Sequence, residues 1–223
     1  MIDHTGVTVS DYNKSKAFYS ATLAAIGYEL LLEFPAAVAG TDVAGFGGDV
    51  RYVRNKASGG WFYSVAPSYV LSVTGEAGQI VGLGQPVNIQ DRWFVGGDNL
   101  HGFATAGIGP RDKASGDALG GNIYYVSSLS LGFPLGLPQE FGVSGRVFSD
   151  IGDLWSFDLV PNDTANGRTK SDANDISSVR MSAGAGVAWK SPFGPIRLDL
   201  AVPVMRQAFD KSEFFRISFG TRF

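Results

Sequence analysis

The sequence of 223 residues contains no cysteine, which excludes disulfide bonds and thiolate metal sites. It has no run close to the roughly 18 consecutive apolar residues that a transmembrane helix requires. Charged residues make up only 17% of the chain, against roughly 25% in an average soluble domain. The net charge is −3, and the scattered Lys and Arg residues form no basic stripe. A nucleic-acid partner is therefore not expected.

The N-terminus also lacks the features of a secretory signal peptide. The stretch MIDHTGVTVSDYNKSKAF contains no basic region followed by a continuous apolar core. Export of this chain would therefore need another explanation. Glycine and aromatic residues are abundant: the chain has 30 glycines and 13% aromatic residues.

The first 46 residues predict a small β-α-β unit. Its elements are a strand over Ile2–Val9, a helix over Asp11–Ile26 and a strand over Tyr28–Phe34. Ser10 supplies a side-chain oxygen suited to the helix N-cap. Gly27 is suited to the left-handed conformation that ends a helix. Alternation of helix and strand is a pattern of soluble domains.

From Asp49 onward, period-2 alternation replaces the helical pattern. We predict seven strands, at about residues 49–65, 69–82, 121–133, 141–151, 177–190, 195–204 and 213–223. Each is near or above the roughly 9–11 residues that a tilted membrane-spanning strand needs.

The two faces of these strands differ in character. In the sixth strand, Leu198, Leu200 and Val202 alternate with Arg197, Asp199 and Ala201. The polar faces combine small residues with charges of both signs, which is typical of the lumen of a membrane barrel. Aromatic residues lie towards strand ends, as in the girdles at a bilayer interface; they are Tyr52, Trp61, Tyr63, Tyr69 and Trp189.

The connections alternate in length. Those at 66–68, 134–140 and 191–194 are short, and those at 83–120 and 152–176 are long. Membrane barrels place short turns in the periplasm and long loops outside, whereas a soluble β-sandwich, the alternative fold, has no reason to do so. We therefore predict a mainly β fold, namely a partial, about seven-stranded antiparallel transmembrane β-barrel sheet after a small N-terminal β-α-β unit.

Four segments carry a resemblance to a known family. They are GGDNLHGFATAGIGPRD (Gly96–Asp112), VFSDIGDLW (Val147–Trp155), SPFGPIRLDLAVPV (Ser191–Val204) and FFRISFGTRF (Phe214–Phe223). In this order they resemble the barrel of the BamA family of outer-membrane protein assembly factors, the bacterial surface antigen family. The resemblance covers residues 48–223. It implies an outer-membrane location, no cofactor, and contacts with membrane lipid, nascent outer-membrane proteins and assembly lipoproteins.

In that family, a large extracellular loop folds back into the barrel and places an Arg-Gly-Phe motif on the inner wall. The matching lid-loop residues are Leu100, His101, Gly102 and Phe103, and Asp150 is the expected acidic partner on the wall. Histidine lacks the five-donor fork of arginine and is often neutral at neutral pH. We therefore expect a weaker, pH-dependent anchor. The alternative is that this residue lies in a mobile, exposed loop.

The C-terminus resembles the β-signal by which assembly machinery recognises nascent barrels. Its residues are Phe215, Ile217, Phe219 and the terminal Phe223. The same aromatic residues also suit contact with lipid, and the two interpretations are compatible.

A second resemblance involves IDHTGVTVSDYNKSKAFYSATLAAIGY, Ile2 to Tyr28. It is similar to the start of a glyoxalase/bleomycin-resistance (vicinal-oxygen-chelate) module but covers less than half of one. His4 matches the first metal-ligand position of that family. Catalytic metals commonly take three protein ligands, so His4 alone predicts a vestigial position and no metal site. The chain therefore resembles a fusion of a truncated glyoxalase-like segment (1–46) with part of a barrel (48–223).

The leading functional hypothesis is a non-catalytic barrel fragment of an outer-membrane protein assembly and insertion factor. One alternative is a glyoxalase-like metal-dependent lyase or dioxygenase with an incomplete site. Another is a passive outer-membrane pore or surface protein, which exposed long loops would favour. An open sheet of seven strands has unpaired edges that hydrocarbon does not tolerate. We therefore expect aggregation or dependence on a partner.

Overall fold

The structure is a computed structural model that describes residues 8–25, 27–36, 42–47, 51–159, 164, 167–191 and 194–220. The chain divides into two compact units, Met1–Arg51 and Tyr52–Phe223. None of the helices in the described part of the chain could span a membrane.

The first unit contains a helix and a hairpin. Helix α1 spans Tyr12–Ala24, and strands β1 (Glu29–Phe34) and β2 (Val43–Gly47) pair in antiparallel fashion. The hairpin was not predicted, because no strand was predicted between Phe34 and residue 49, where β2 lies. The predicted strand Ile2–Val9 lies outside the described residues, apart from its last two, which are not in a strand.

The helix differs from the prediction at its start. Its N-cap is Asp11 and not Ser10, because the Asp11 carboxylate accepts a 3.0 Å hydrogen bond from the backbone N–H of Lys14. Gly27 has φ +79°, as expected for the residue after a helix. None of the helical residues is buried, and Phe18 is exposed.

The second unit is almost entirely β-structure. In chain order its strands are β3 (Tyr52–Ala66), β4 (Tyr69–Gly82), β5 (Arg111–Asp112), β6 (Ile123–Pro134), β7 (Val143–Trp155), β8 (Ala173–Asn174), β9 (Arg180–Ser191), β10 (Gly194–Met205) and β11 (Phe215–Phe219). Seven of them form one sheet in the order β11-β10-β9-β7-β6-β4-β3, and β5 pairs with β8.

All neighbouring strands of the large sheet are antiparallel. The predicted mainly β fold and the seven strands are thus confirmed. Among the described residues, β3 and β11 each pair on one side only, so the sheet is open and corresponds to part of a barrel. Strand β11 is shorter than the predicted 213–223, of which 221–223 lie outside the described residues.

The connections alternate as predicted. Residues 67–68, 135–142 and 192–193 make the short ones, and residues 83–122 and 156–179 make the long ones. We call residues 83–122 the lid segment. The connection between β10 and β11, residues 206–214, is called the β10–β11 loop.

The burial pattern of the sheet is reversed relative to that of a soluble protein. In β10, Leu198, Leu200 and Val202 are 43–50% exposed, whereas Asp199 is 1% exposed and Ala201 is 4% exposed. Charged residues are rarely so buried in soluble domains. The polar face of the sheet is therefore the covered face, and the apolar face is open, as in a membrane barrel.

Candidate functional site

The lid segment packs on the polar face of the sheet and builds a small core there. The core consists of Val95, Leu100, Phe103, Ile108, Tyr124, Val126 and Leu154. Four of these seven residues come from the lid segment, and the others come from β6 and β7. Leu100 and Phe103 have no exposed surface. The alternative of a mobile, exposed loop does not describe this part of the structure.

The tip of the lid segment, residues 96–107, contains a tight turn. The backbone N–H of Gly97 donates to the Phe103 carbonyl at 2.8 Å, and that of Gly96 donates to Asn99 Oδ1 at 2.8 Å. Gly102 has φ +83°, and a Cβ atom built there would lie 3.0 Å from Ser182 Cβ on β9. A side chain would therefore be strained at Gly102 and would also crowd the wall.

His101 meets Asp150 on β7, so the structure brings together these two predicted residues. The ring Nδ1 lies 2.6 Å from Asp150 Oδ2, and the backbone N–H of His101 donates to the same oxygen at 3.0 Å. Both side chains are buried. A buried carboxylate that accepts two hydrogen bonds from one residue fixes the backbone of the tip as well as the ring. The pH dependence expected of this contact remains a prediction.

Two further charged residues complete the cluster. Arg146 on β7 donates from Nε to Asp199 Oδ1 at 2.8 Å, and its Nη2 lies 3.2 Å from His101 Nε2. His101 Nε2 lies 3.6 Å from Asp199 Oδ2. Within the described part of the chain, Asp150 Oδ1 and Asp199 Oδ2 accept no hydrogen bond. The four residues therefore form a group in which the carboxylates have more acceptor capacity than the histidine fills.

The β10–β11 loop holds the other side of the tip. Backbone hydrogen bonds join Ala104 N to the Lys211 carbonyl at 2.9 Å, Lys211 N to the Gly107 carbonyl at 2.9 Å, and Glu213 N to the Gly102 carbonyl at 3.0 Å. These bonds do not depend on side-chain type. A sequence pattern therefore gives no signal for them.

Arg180 fixes the β10–β11 loop to the sheet. This side chain has no exposed surface; its Nη1 lies 2.5 Å from Asp153 Oδ1, and its Nε lies 3.1 Å from Asp210 Oδ2. Asp210 in turn accepts a 2.7 Å bond from the backbone N–H of Gln207. Placement of Arg180 on the polar face was predictable from alternation, but its two carboxylate partners were not.

The lid segment also joins the other long connection through β5 and β8. Arg111 on β5 donates to the carbonyls of Gly116 and Ala106 at 2.9 and 2.6 Å. Burial lowers the pKa of the Arg111 guanidinium. Arg168 forms an ion pair with Asp112 in the same region.

The remaining predicted residues lie elsewhere or outside the description. Phe215, Ile217 and Phe219 are exposed on one face of β11. Phe223 and His4 lie outside the described residues. In the part of the chain that is described, no group of three or more His, Asp or Glu side chains is arranged to hold a metal ion.

Comparison with known proteins gives one family match. Residues 33–223 match the Omp85 superfamily domain. The match thus begins at the end of β1 and includes β2, so it starts before residue 48, where the predicted barrel segment begins.

Three curated relatives illustrate the range of similarity. The outer membrane protein assembly factor BamA of Neorickettsia risticii is 37% identical over 174 residues, which is 77% of this chain and 22% of that protein. BamA of Neisseria meningitidis is 25% identical and is matched over 79% of this chain and 24% of its own length. The sorting and assembly machinery component 50 homolog of Mus musculus is 28% identical over 76% of this chain and 37% of its own length.

A solved structure shares the fold. The crystal structure of BamA from Haemophilus ducreyi lacking POTRA domains 1–3 superposes with a TM-score of 0.65 and 24% sequence identity. The match covers 79% of this chain and 36% of that one. The chain thus spans well under half the length of the relatives that it matches.

Proposed function

Because this chain belongs to the Omp85 superfamily, we propose that it is the barrel part of an outer-membrane protein assembly and insertion factor. The names of its bacterial relatives support this function. The observation that carries the proposal is the burial of the lid-segment tip against Asp150 on the polar face of the sheet.

An outer-membrane location follows from the same proposal. The open apolar face would contact lipid, and the covered polar face would form the inner wall, as in a membrane barrel. The short connections at 67–68, 135–142 and 192–193 would lie in the periplasm. The lid segment would then enter the barrel from outside.

The partners would be nascent outer-membrane proteins, assembly lipoproteins and membrane lipid. We propose no catalytic residue, metal or cofactor, because insertion of a barrel requires strand pairing and no covalent chemistry. The aromatic residues of β11, together with Phe223, would act as the β-signal for assembly of this chain itself.

The lid segment also bears on the alternative of a passive pore. A pore needs an open lumen, whereas Leu100 and Phe103 are buried against the polar face. This packing favours the assembly factor.

For the N-terminal segment we propose the glyoxalase-like origin that the resemblance of Ile2–Tyr28 implies. One observation supports it, because the Omp85 match begins at residue 33, after that stretch ends. The join would then lie near residue 30 and not at residue 47. A metal-dependent lyase or dioxygenase remains the weaker alternative, because His4 supplies one ligand position where catalytic metals commonly take three protein ligands.

The test is insertion of an eight-stranded barrel protein from urea into lipid vesicles that contain the full chain. We expect faster folding of the client than in empty vesicles, and a slower rate with Asp150→Asn. Asp117→Asn is the matched control, because it removes one carboxylate from an exposed position of the same lid segment. It should leave the rate unchanged.

Two outcomes would contradict the proposal. Vesicles with the chain that fold the client no faster than empty vesicles would show that this chain has no assembly activity. Leakage of a trapped dye without faster folding would support the passive pore instead.

A further inference from the structure

The C-terminal strand has a short hydrogen-bonded edge. Strand β11 pairs with β10 over five residues, from Leu200↔Phe215 to Ile196↔Phe219. On its other side, β10 pairs with β9 along nearly its whole length. Among the described residues, β11 has the fewest paired residues of any strand in this sheet. Because amide protection depends on such pairing, we expect β11 to be released from the sheet most easily.

A second set of contacts reaches β11 from the lid segment. Asp98 Oδ1 accepts a 3.1 Å bond from Arg216 Nη1 and a 2.8 Å bond from Ser218 Oγ. Arg216 and Ser218 are two positions apart, so their side chains project from the same face of the strand. One carboxylate oxygen therefore holds two successive inward-facing side chains of β11.

Arg216 extends the contact to the rest of the lid segment. Its Nη2 donates to Thr105 Oγ1 at 3.0 Å and to Glu213 Oε2 at 2.6 Å. The Arg216 side chain is 19% exposed and that of Asp98 is 33% exposed, so solvent screens the pair only in part. Charge-assisted hydrogen bonds of this kind are stronger than neutral ones.

We propose that Asp98 is a positioning residue that couples the lid segment to the C-terminal strand. Docking of the tip at Asp150 places Asp98 beside Arg216 and Ser218, so the docked lid segment holds β11 in addition to its pairing with β10. Withdrawal of the lid segment removes this hold and leaves five residue pairs. The coupling would act on the lid segment that the proposed function uses, so its biological role rests on that proposed function.

The coupling must act in both directions. If docking of the lid segment stabilises β11, the paired state of β11 stabilises docking by the same factor. Loss of the Asp150 contact should therefore loosen β11, even though Asp150 lies on β7 and does not touch that strand.

The test is hydrogen–deuterium exchange of the full chain folded in detergent micelles. We expect Asp98→Asn to raise the exchange rate of the β11 amides by about five-fold or more. Amides of β6 and β7 should exchange as before. Asp117→Asn is the control, because it makes the same charge change in the lid segment without a contact to β11.

The distinguishing measurement is a double-mutant cycle. Asp150→Asn alone should also raise exchange in β11, and its combination with Asp98→Asn should add little, because both variants remove the same hold. Equal exchange of β11 in Asp98→Asn and Asp117→Asn would overturn the proposal. Strictly additive effects, or a uniform rise through β6 and β7, would overturn it as well.

The exchange measurement requires no insertion activity. A failed cycle with faster client folding would therefore refute the coupling and leave the proposed function standing. A successful cycle with no effect on client folding would support the coupling and contradict the proposed function.

Discussion

At the scale of single residues, His101 decides how firmly the lid segment is anchored. It offers one ring N–H and one backbone N–H to Asp150, while Asp150 Oδ1 and Asp199 Oδ2 accept no bond within the described chain. Buried acceptors without donors cost free energy. The site therefore has capacity for a side chain with more donors.

We predict that His101→Arg strengthens the anchor. The guanidinium has five N–H donors. Its permanent positive charge, together with that of Arg146, balances the two carboxylates, Asp150 and Asp199. Hydrogen bonds to charged groups contribute about 1.5–3 kcal/mol each. Amides of the tip should exchange more slowly than in the unchanged chain, and His101→Ala should make them exchange faster. Faster exchange in His101→Arg would show that Arg146 already occupies the space.

The backbone at Gly102 leads to a second prediction. Gly102→Ala would place a Cβ at φ +83° and 3.0 Å from Ser182 Cβ, which combines backbone strain of about 1–3 kcal/mol with crowding of the wall. We expect the tip to lose much of its protection from exchange. Gly116→Ala is the matched control, with φ +72° and no atom within 4 Å of the added Cβ. Equal losses in both variants would mean that strain alone, and not contact with β9, explains the effect.

At the scale of elements, the strands were predictable because side-chain alternation reports directly which face each residue occupies. The burial of Arg180 and the exposure of Val202 follow from that alternation. The partners of Arg180 were not predictable, because alternation does not show which residues meet across the sheet. Asp153 lies on β7, and Asp210 lies in the β10–β11 loop. The cap at Asp11 was missed because Ser and Asp are both good caps, and only backbone geometry distinguishes neighbours. Similarly, the β1–β2 hairpin has no regular alternation through its glycines.

We predict that Arg180→Gln loosens the β10–β11 loop and destabilises the sheet. The change leaves Asp153 and Asp210 buried without a cation, and breaking a buried ion pair in this way costs about 3–5 kcal/mol. The midpoint of urea unfolding should fall clearly. Arg206→Gln removes the same charge from an exposed position of the same loop and should have little effect. Equal midpoints in the two variants would contradict a role for Arg180 as the link.

For the molecule as a whole, the open edges of the sheet determine whether the chain associates with other strands. Among the described residues, β3 pairs only with β4, over residues 52–66, and β11 pairs only with β10. Unpaired edges of this length bind other strands readily. The family relatives are much longer than this chain, and additional strands of a longer chain would cover such edges.

The last prediction is that the isolated chain associates through β3. Without heating, the chain in detergent should migrate on gels as species larger than a monomer, and the fraction associated should fall on dilution. Ala57 and Ser58 offer a matched pair of tests, because successive N–H groups of a strand point to opposite sides. Proline at the position whose N–H faces the free edge should reduce association and keep the β3–β4 pairing. Proline at the other position should disrupt that pairing. A compact monomer with faster unheated mobility would show that the seven strands close without a partner, and an unchanged oligomer in both variants would place the contact at β11.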